Sequence, residues 1–277
     1  MNRPTVLVLT DLSNGDADED ILLGECLREN FRIYVVHPMD SEDLEQKVDA
    51  IIIRNVWNTG RYGQPEPWYD RWRRIISLPI HDDLYVRKGS EKDYLLELYA
   101  RGYPVIPTVD SIGDIGTLPP SDSYFIKPKD GFDAINARKV SISELMKLRP
   151  TGYLIQPFIE FEHECSFYYL DGELQYALYA PLKEKRWDMV EFFPSKEDLA
   201  FAGGIVSWGR QRHGIVRIDA CRLSGGKLLL MEITDQGGVY LSLSCLTARS
   251  QRVFLRRLVA SLEKLVRRNK AASRLAA

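Results

Sequence analysis

The N-terminal part of the chain alternates between short apolar runs and helical segments, and this order strongly limits the fold. The run Thr5–Thr10 has the composition of a strand buried on both faces, and Phe31–Val36 and Ala50–Ile53 resemble it. Helical segments separate these runs, and a strand–helix–strand–helix–strand order predicts a parallel sheet with right-handed crossovers. Ligands of such sheets bind beyond the carboxyl ends of the strands, so we expect contacts near residues 11–20 and 54–60.

The later part of the chain reads as short strands joined by tight turns. Asp171-Gly172 and Ser224-Gly225-Gly226 each separate two apolar runs, and both predict β-hairpins. A helix precedes this region, with Ser90 as its predicted N-cap and with Leu95 and Leu98 on its apolar face. The fold class is therefore α/β followed by α+β.

Composition and charge describe an ordinary globular protein. The 277 residues are 45% hydrophobic and carry a formal net charge of −2, which gives no general attraction to nucleic acids or anionic membranes. The four cysteines form no C-x-x-C motif, and isolated thiols fit a reducing cytoplasm. The apolar run Val6–Leu9 is too short for a signal peptide or a membrane span. We therefore predict a cytoplasmic protein with no membrane or nucleic-acid partner.

The C-terminal tail from Gln251 to Lys270 has the pattern of an amphipathic helix with a basic face. A nucleic-acid or membrane patch is one interpretation of that face. We favour a helix that packs by its apolar stripe and leaves a solvated basic face, because the remaining chain carries compensating acidic residues.

Four segments carry residues that suit nucleotide chemistry, and the first runs from Tyr124 to Gly131. It places Lys127 at the end of an apolar strand, just before a glycine turn. Such a lysine can point its ammonium group at phosphates, and the turn can add backbone N–H donors. A merely solvated lysine is the alternative interpretation.

The second segment runs from Leu154 to Glu160, and Glu164 follows it closely. A strand that leaves the core with an amide and carboxylates at its end suits a nucleoside. Gln156, or the backbone after it, can meet the adenine edge, and an acid can accept hydrogen bonds from ribose hydroxyls. A plain exposed acidic loop is the alternative interpretation.

The third and fourth segments lie on two strands joined by the second predicted hairpin. Strand alternation puts Arg217 and Asp219 on one face, and the hairpin brings Glu232 across from them. Charged side chains within apolar strands are costly unless they are paired or bind a ligand. Two converging carboxylates suit Mg²⁺ held between protein and phosphates. A structural Arg–Glu pair is the alternative.

The order and spacing of these segments resemble those of the ATP-grasp superfamily. The resemblance extends upstream, because Ile51–Asn58 is similar to the R-S-T-W-D-Y segment of a group of small glutathione-synthetase-like carboxylate-amine ligases. Residues 90–98 and 102–108 are similar to that group's D-K-x-Y-L-x-x-L and G-V-P-V-V-P-T runs. The resemblance covers residues 5–245.

The resemblance implies an ATP-grasp fold of three lobes with ATP held between the last two. We expect a pre-ATP-grasp α/β lobe at residues 1–88, a small middle lobe at 89–158 and an α+β lobe at 159–277. It also implies ATP and Mg²⁺ as cofactors, an amino-acid-like or peptide substrate, and a homodimer as a reasonable assembly.

Site roles follow by position from the same resemblance. The implied nucleotide contacts are Lys92, Lys127, Gln156, Phe158, Ile159 and Glu164. The implied metal ligands are Asp219, Glu232 and Thr234. The residues expected to face the transferring phosphate are Arg217 and Lys127, and those expected to contact the substrate are Arg54, Trp57 and Arg217.

One departure from the family pattern concerns the metal site. Thr234 stands where many members have Asn or Glu, and a threonine hydroxyl is a poorer Mg²⁺ ligand than a carboxylate. Asp235 is next to it, but strand alternation points this side chain to the other face unless a bulge intervenes.

The function that the resemblance implies is ATP-dependent formation of an amide or peptide bond through an acyl-phosphate. Specialised biosynthesis and ring closure within one molecule are compatible with this activity. The alternatives are an ATP-grasp kinase that phosphorylates a hydroxyl, and a catalytically silent ATP-binding protein, which Thr234 favours.

Overall fold

The computed structural model describes residues 3–11, 17–55, 78–82, 92–130, 134–148 and 151–276. Strands and helices of these residues are numbered in chain order. The strands are β1 (Thr5–Leu9), β2 (Arg32–Val36), β3 (Ala50–Ile53), β4 (Ser123–Pro128), β5 (Arg138–Ser141), β6 (Tyr153–Pro157), β7 (His163–Leu170), β8 (Glu173–Ala180), β9 (Val190–Phe192), β10 (Ile215–Arg222) and β11 (Leu228–Asp235). The α-helices are α1 (Ala17–Leu27), α2 (Glu42–Glu45), α3 (Tyr94–Ala100), α4 (Ile142–Leu148), α5 (Lys196–Gly209) and α6 (Ala248–Ala276).

The first sheet is parallel and has the strand order β2-β1-β3. Val6 at its centre pairs with Ile33 on one side and with Ala50 on the other. A further parallel bridge joins Ile51 to Ile80. The central strand and β3 are almost completely buried, as their continuous branched apolar sequence requires. The parallel sheet that the alternation predicts is confirmed.

The second sheet has the order β5-β4-β6 and is antiparallel. One of its faces packs against α4 through an apolar cluster that includes Tyr124 and Leu145. Alternation along β4 and β6 puts Lys127 and Gln156 on the opposite face. That face looks towards the third sheet, because Lys127 reaches the backbone of Met231 on β11.

The third sheet is antiparallel, with the order β11-β10-β7-β8-β9. The segment before β4 extends its edge through a parallel bridge between Val105 and Leu230. One face of this sheet packs beneath α3 and α5, in a cluster that includes Leu95, Phe167 and Ile205. Both predicted hairpins, β7–β8 and β10–β11, are present within it.

The other face of the third sheet is divided into an apolar part and a polar part. Tyr168, Tyr176 and Leu178 pack there against β1, α1 and α6. The polar part lies on the neighbouring strands β10 and β11 and contains Asp219 and Glu232. The first lobe and α6 therefore cover the apolar part and leave the carboxylates at the junction of the lobes.

The C-terminal helix α6 packs by its apolar stripe, as the sequence pattern predicts. Phe254, Leu258 and Leu262 are buried in the cluster shared with the first sheet, whereas Arg252 and Arg256 are exposed. The packing interpretation of this helix is therefore confirmed. Neither α6 nor any other helix among the described residues is long and apolar enough to cross a membrane.

Some local features differ from the sequence-based expectations. Ser90 lies outside the described residues, and α3 begins at Tyr94 with Asp93 as its N-cap. The sequence pattern also missed α5, although Ser195 and Asp198 form a capping box at its start. Each predicted lobe contains one of the three sheets, and the exact lobe boundaries stay predictions.

Candidate active site

Asp219 and Glu232 lie directly opposite each other on the paired strands β10 and β11. A bulge shifts the register between Asp219 and Ala220, which leaves Met231 as an extra residue on β11. Bulges of this kind re-aim side chains and are frequent beside active sites. The prediction that the hairpin brings these two carboxylates together is confirmed.

Three side chains donate hydrogen bonds to the Asp219 carboxylate. Ser166 Oγ donates to Oδ1 at 2.7 Å, and Thr234 Oγ1 donates to Oδ2 at 3.2 Å. Arg217 Nε lies 2.8 Å from Oδ1 and 3.0 Å from Oδ2, so the predicted shared face of Arg217 and Asp219 is also confirmed. These donors contact both oxygens of Asp219 and fix the plane of the carboxylate group.

Glu232 and the two predicted phosphate-binding lysines meet across the cleft between the second and third sheets. Lys92 Nζ lies 3.1 Å from Glu232 Oε1. Lys127 Nζ donates to the carbonyl oxygen of Met231 at 2.9 Å. Burial lowers the pKa of Lys127 to about 8; Glu232 opposes this shift and the charge of Lys92 adds to it. The structure thus brings both lysines and both carboxylates into one cluster.

The predicted adenine contacts lie where the chain crosses from β6 to the third sheet. Gln156 is buried, and its Nε2 donates to Thr108 Oγ1 at 2.8 Å. The Phe158 N–H donates to the Ser123 carbonyl oxygen at 2.9 Å. These two bonds use one N–H of the Gln156 amide and the Phe158 N–H, and the backbone of Ile159 follows at the same crossover.

A cavity of about 610 Å³ opens beside this crossover. Its walls are mainly aromatic and proline side chains, and Phe158, Ile159 and Leu229 are among them. The Lys139 ammonium lies 3.7 Å from the centroid of the Phe158 ring. The cavity walls do not include the Asp219 and Glu232 carboxylates, so it borders the candidate site without containing its charged centre.

Glu164 lies on β7, next to the charged centre. It pairs with Cys221 on β10, two positions along the strand from Asp219. Burial raises the pKa of Glu164, the negative charge of Asp219 raises it further, and Arg186 and Arg217 lower it. Glu164 is therefore close enough to these charged groups for them to shift its pKa, as expected of a group at the edge of the same site.

An aromatic pair borders the site on the side of the loop between β8 and β9. Trp187 is 52% exposed and meets the Tyr240 ring edge-on at a centroid distance of 6.3 Å. The Arg186 guanidinium lies 4.8 Å from the Trp187 ring centroid. The carbonyl oxygen of Tyr240 in turn accepts a hydrogen bond from Arg217 at 3.2 Å. This pair is therefore connected to the charged centre through a single backbone group.

Arg54 is buried against the first lobe and the segment after β11. Its side chain is 1% exposed, and Nε lies 2.8 Å from Asp20 Oδ1. Its Nη1 donates to the Val239 carbonyl oxygen at 2.6 Å, and Glu19 accepts from the backbone of Leu241 and Leu243. These contacts join the first lobe to the segment after β11 and support a structural role for Arg54, and its expected substrate contact stays a prediction. Trp57, the other expected substrate contact in this loop, lies outside the described residues.

Two residues of the site were not assigned a role from sequence. Ser166 lies two residues after Glu164, but its contact with Asp219 depends on the β7–β10 register, which pairs Ser166 with Asp219 directly. The sequence pattern assigns Tyr94 to the apolar face of a helix. Its hydroxyl nevertheless accepts a hydrogen bond from the Ile233 N–H at 2.8 Å and donates one to the Ile233 carbonyl oxygen at 3.3 Å. It thereby fastens α3 to the strand that carries Glu232.

The donor set fits a Mg²⁺ ion that is completed by phosphates. Among the described residues, no group of three or more His, Cys, Asp or Glu side chains is placed to hold a metal alone. Mg²⁺ is usually bound by one or two carboxylates together with substrate phosphates, and this site offers Asp219 and Glu232. The Thr234 hydroxyl donates a hydrogen bond to Asp219, which suits a residue that supports the metal ligand better than a third strong ligand.

Comparison with known proteins gives structural relatives only. No family model and no curated protein matches the chain. Solved structures that are similar over nearly the whole chain include the following three. The D-cycloserine synthetase DcsG has a TM-score of 0.72 and 19% identity, with 93% of this chain and 99% of that chain covered.

A D-alanine–D-alanine ligase from Bacillus anthracis, complexed with ATP, has a TM-score of 0.66 and 14% identity, with coverages of 98% and 99%. The ATP-grasp ligase PsnB, complexed with a variant of its minimal precursor, Mg and ADP, has a TM-score of 0.67 and 13% identity, with coverages of 95% and 98%. These TM-scores establish a shared fold, and identities this low establish nothing further. The shared fold is the one that the sequence motifs predict.

Proposed function

We propose that this chain, which has the ATP-grasp fold, is an ATP- and Mg²⁺-dependent ligase that joins a carboxylate to an amine through an acyl-phosphate. One observation carries the proposal. Lys92 pairs with Glu232, Lys127 donates to the carbonyl oxygen of the preceding Met231, and Asp219 lies opposite Glu232 on the paired strand. This cluster suits phosphates and a divalent cation, and the sequence resemblance implies the same ligands for these residues.

The proposed reaction needs charge neutralisation and positioning more than covalent help from the protein. A carboxylate oxygen of the substrate takes the γ-phosphoryl group of ATP, and ADP leaves. The amine nitrogen then attacks the acyl carbon, loses a proton and displaces inorganic phosphate, which keeps that carboxylate oxygen. Arg217 and Lys127 lie on the two sides of the cleft, where they can neutralise the transferring group.

The proposed cofactor contacts follow from the same geometry. Asp219 and Glu232 would hold Mg²⁺, which when bound supplies positive charge at the phosphates. We assign Lys92 and Lys127 to the phosphates, Glu164 to the ribose, and the crossover that contains Ile159 to the adenine.

The proposed substrate is an amino-acid-like molecule or a peptide. Arg186 with the Trp187–Tyr240 pair can meet a carboxylate and an apolar side chain beside the charged centre. Similar solved structures include a D-cycloserine synthetase and an ATP-grasp ligase in complex with a precursor peptide, which supports a role in specialised biosynthesis. We also propose a cytoplasmic location, which the isolated thiols fit, and a homodimer.

Measurement of ADP release with pooled amino acids and short peptides tests the proposal. A ligase sustains ADP release over many turnovers only when a carboxylate and an amine are both present, and mass spectrometry then finds the amide. Asp219→Asn and Lys127→Ala should abolish this release. ADP release with a phosphorylated hydroxyl product would favour the kinase, and tight ATP binding without turnover would favour the silent binder that Thr234 suggests.

A further inference from the structure

Each carboxylate of the proposed metal site is paired with a cation of the proposed phosphate site. Glu232 pairs with Lys92 at 3.1 Å, and Asp219 pairs with Arg217 at 2.8 Å. Each of these two pairs is therefore neutral, because groups expected to bind Mg²⁺ already hold groups expected to bind phosphate.

We propose that these two ion pairs exchange partners when the ligand binds, so that the cleft takes a metal–nucleotide complex strongly and either component alone only weakly. The proposal rests on the proposed function and concerns how the same site selects its ligand. Lys92 leaves Glu232 for a phosphate oxygen, and Arg217 leaves Asp219 for another. The two carboxylates then meet the divalent cation that accompanies the phosphates.

The burial of these groups makes binding of the nucleotide alone, or of the metal alone, unfavourable. The side chains of Lys92, Arg217 and Asp219 are 11%, 15% and 18% exposed, whereas Glu232 is 37% exposed. A nucleotide without metal that takes Lys92 leaves the Glu232 carboxylate facing phosphate anions. A metal without nucleotide that takes Asp219 leaves Arg217 without its main anionic partner. An uncompensated charge in a partly buried site is costly, so only a joint arrival keeps every charge paired.

The surrounding contacts are arranged so that the groups keep their positions during the exchange. Ser166 and Thr234 continue to hold Asp219 when Arg217 leaves it. Arg217 remains attached to the Tyr240 carbonyl oxygen through Nη1. Glu232 is fixed by its strand, which Tyr94 fastens to α3 at the neighbouring residue. The exchange therefore requires movement of side-chain ends while the strands stay in place.

The test compares binding of the ATP analogue AMPPNP by calorimetry in excess EDTA and in excess Mg²⁺. The exchange predicts that Glu232→Gln raises affinity in EDTA by about threefold to tenfold, because Lys92 no longer has to leave a carboxylate. The same variant should lose most of the Mg²⁺ enhancement. Asp219→Asn, which releases Arg217, should show the same two changes. Glu263→Gln removes an exposed ion pair on α6 and serves as the matched control, with no change in either condition.

A double-mutant cycle separates the exchange from simple removal of negative charge. In a Lys92→Met background, the exchange predicts that Glu232→Gln no longer raises affinity in EDTA. If the gain persists there, general repulsion explains it and the exchange is wrong. If Glu232→Gln leaves EDTA affinity unchanged or lower, the exchange is also wrong. Wild-type protein that binds no AMPPNP even with Mg²⁺ would overturn the proposed function itself.

Discussion

Lys127 of β4 donates from Nζ to the carbonyl oxygen of Met231 at 2.9 Å, across the cleft between the second and third sheets. Met231 is the extra residue of the β11 bulge and immediately precedes Glu232. The bulge therefore presents the Met231 carbonyl oxygen to Lys127 and also directs the Glu232 carboxylate into the cleft. This contact connects the middle lobe to β11, and it orients the buried ammonium group of Lys127.

The lowered pKa of Lys127 predicts that nucleotide affinity depends on pH. Its pKa of about 8 means that the ammonium group is charged below that pH and loses its proton as the pH rises through it. A phosphate attracts only the charged form, so AMPPNP affinity should fall between about pH 7 and about pH 9. Lys127→Arg keeps its charge across this range, so this variant should have a nearly flat profile, as calorimetry at each pH can show. A fall of equal size in Lys127→Arg would assign the pH dependence to another group.

The hydroxyl of Ser166 should support metal binding without contacting the nucleotide. It donates to Asp219 Oδ1 at 2.7 Å, and loss of such a supporting hydrogen bond typically weakens metal affinity by about 10–100-fold. Ser166→Ala should therefore raise the Mg²⁺ concentration needed for AMPPNP binding by that factor, and leave affinity in EDTA unchanged. Equal losses in both conditions would indicate general damage to the cleft.

Arg54 should contribute mainly to stability. Truncation of Arg54 leaves the carboxylates of Asp20 and Glu19 buried without their guanidinium partner. Breaking a buried ion pair in this way costs about 3–5 kcal/mol of folding stability. Arg54→Met should lower the free energy of unfolding by that amount in urea denaturation. Arg101→Met removes an exposed i,i+4 pair with Glu97 and should cost only about 0.5 kcal/mol. Full stability of Arg54→Met, together with a loss of substrate affinity, would restore the substrate role expected from the sequence.

Gly214 should tolerate no side chain, because the backbone of the first lobe approaches it closely. A Cβ added there would lie 2.8 Å from Asp82 Cα, and its φ of +99° is unfavourable for other residues. Gly214→Ala should lower the free energy of unfolding by about 1–3 kcal/mol. Gly204→Ala, within α5 and with nothing close to the added Cβ, should be neutral or stabilising by about 0.5–1 kcal/mol. Similar unfolding curves for the two variants would contradict the close approach.

Patterns local in the chain predicted much of the fold and part of the site. Period-two alternation and the glycine turn were enough to place Asp219, Arg217 and Glu232 together, because one hairpin contains all three residues. The parallel first sheet followed from its uninterrupted apolar strands for the same local reason.

Features set by distant parts of the chain could not be predicted in this way. The substrate contact expected of Arg54 stays a prediction, but its hydrogen bonds to the segment after β11 could not be read from its position after a buried strand. Ser166 meets Asp219 only through pairing of strands more than fifty residues apart in sequence. The pairing of Lys92 with Glu232 likewise depends on how two lobes pack. Residue periodicity carries no information about these long-range contacts.

Transfer of a heavy-oxygen label tests the central claim most directly. The protein is incubated with ATP, Mg²⁺, an amine pool and amino acids or peptides whose carboxylates carry the heavy isotope. Passage through an acyl-phosphate predicts that one heavy oxygen moves from the carboxylate to inorganic phosphate for each ADP formed, and that Asp219→Asn abolishes both products. ADP formation with unlabelled phosphate, or with the phosphoryl group on a hydroxyl, would contradict the proposed ligase.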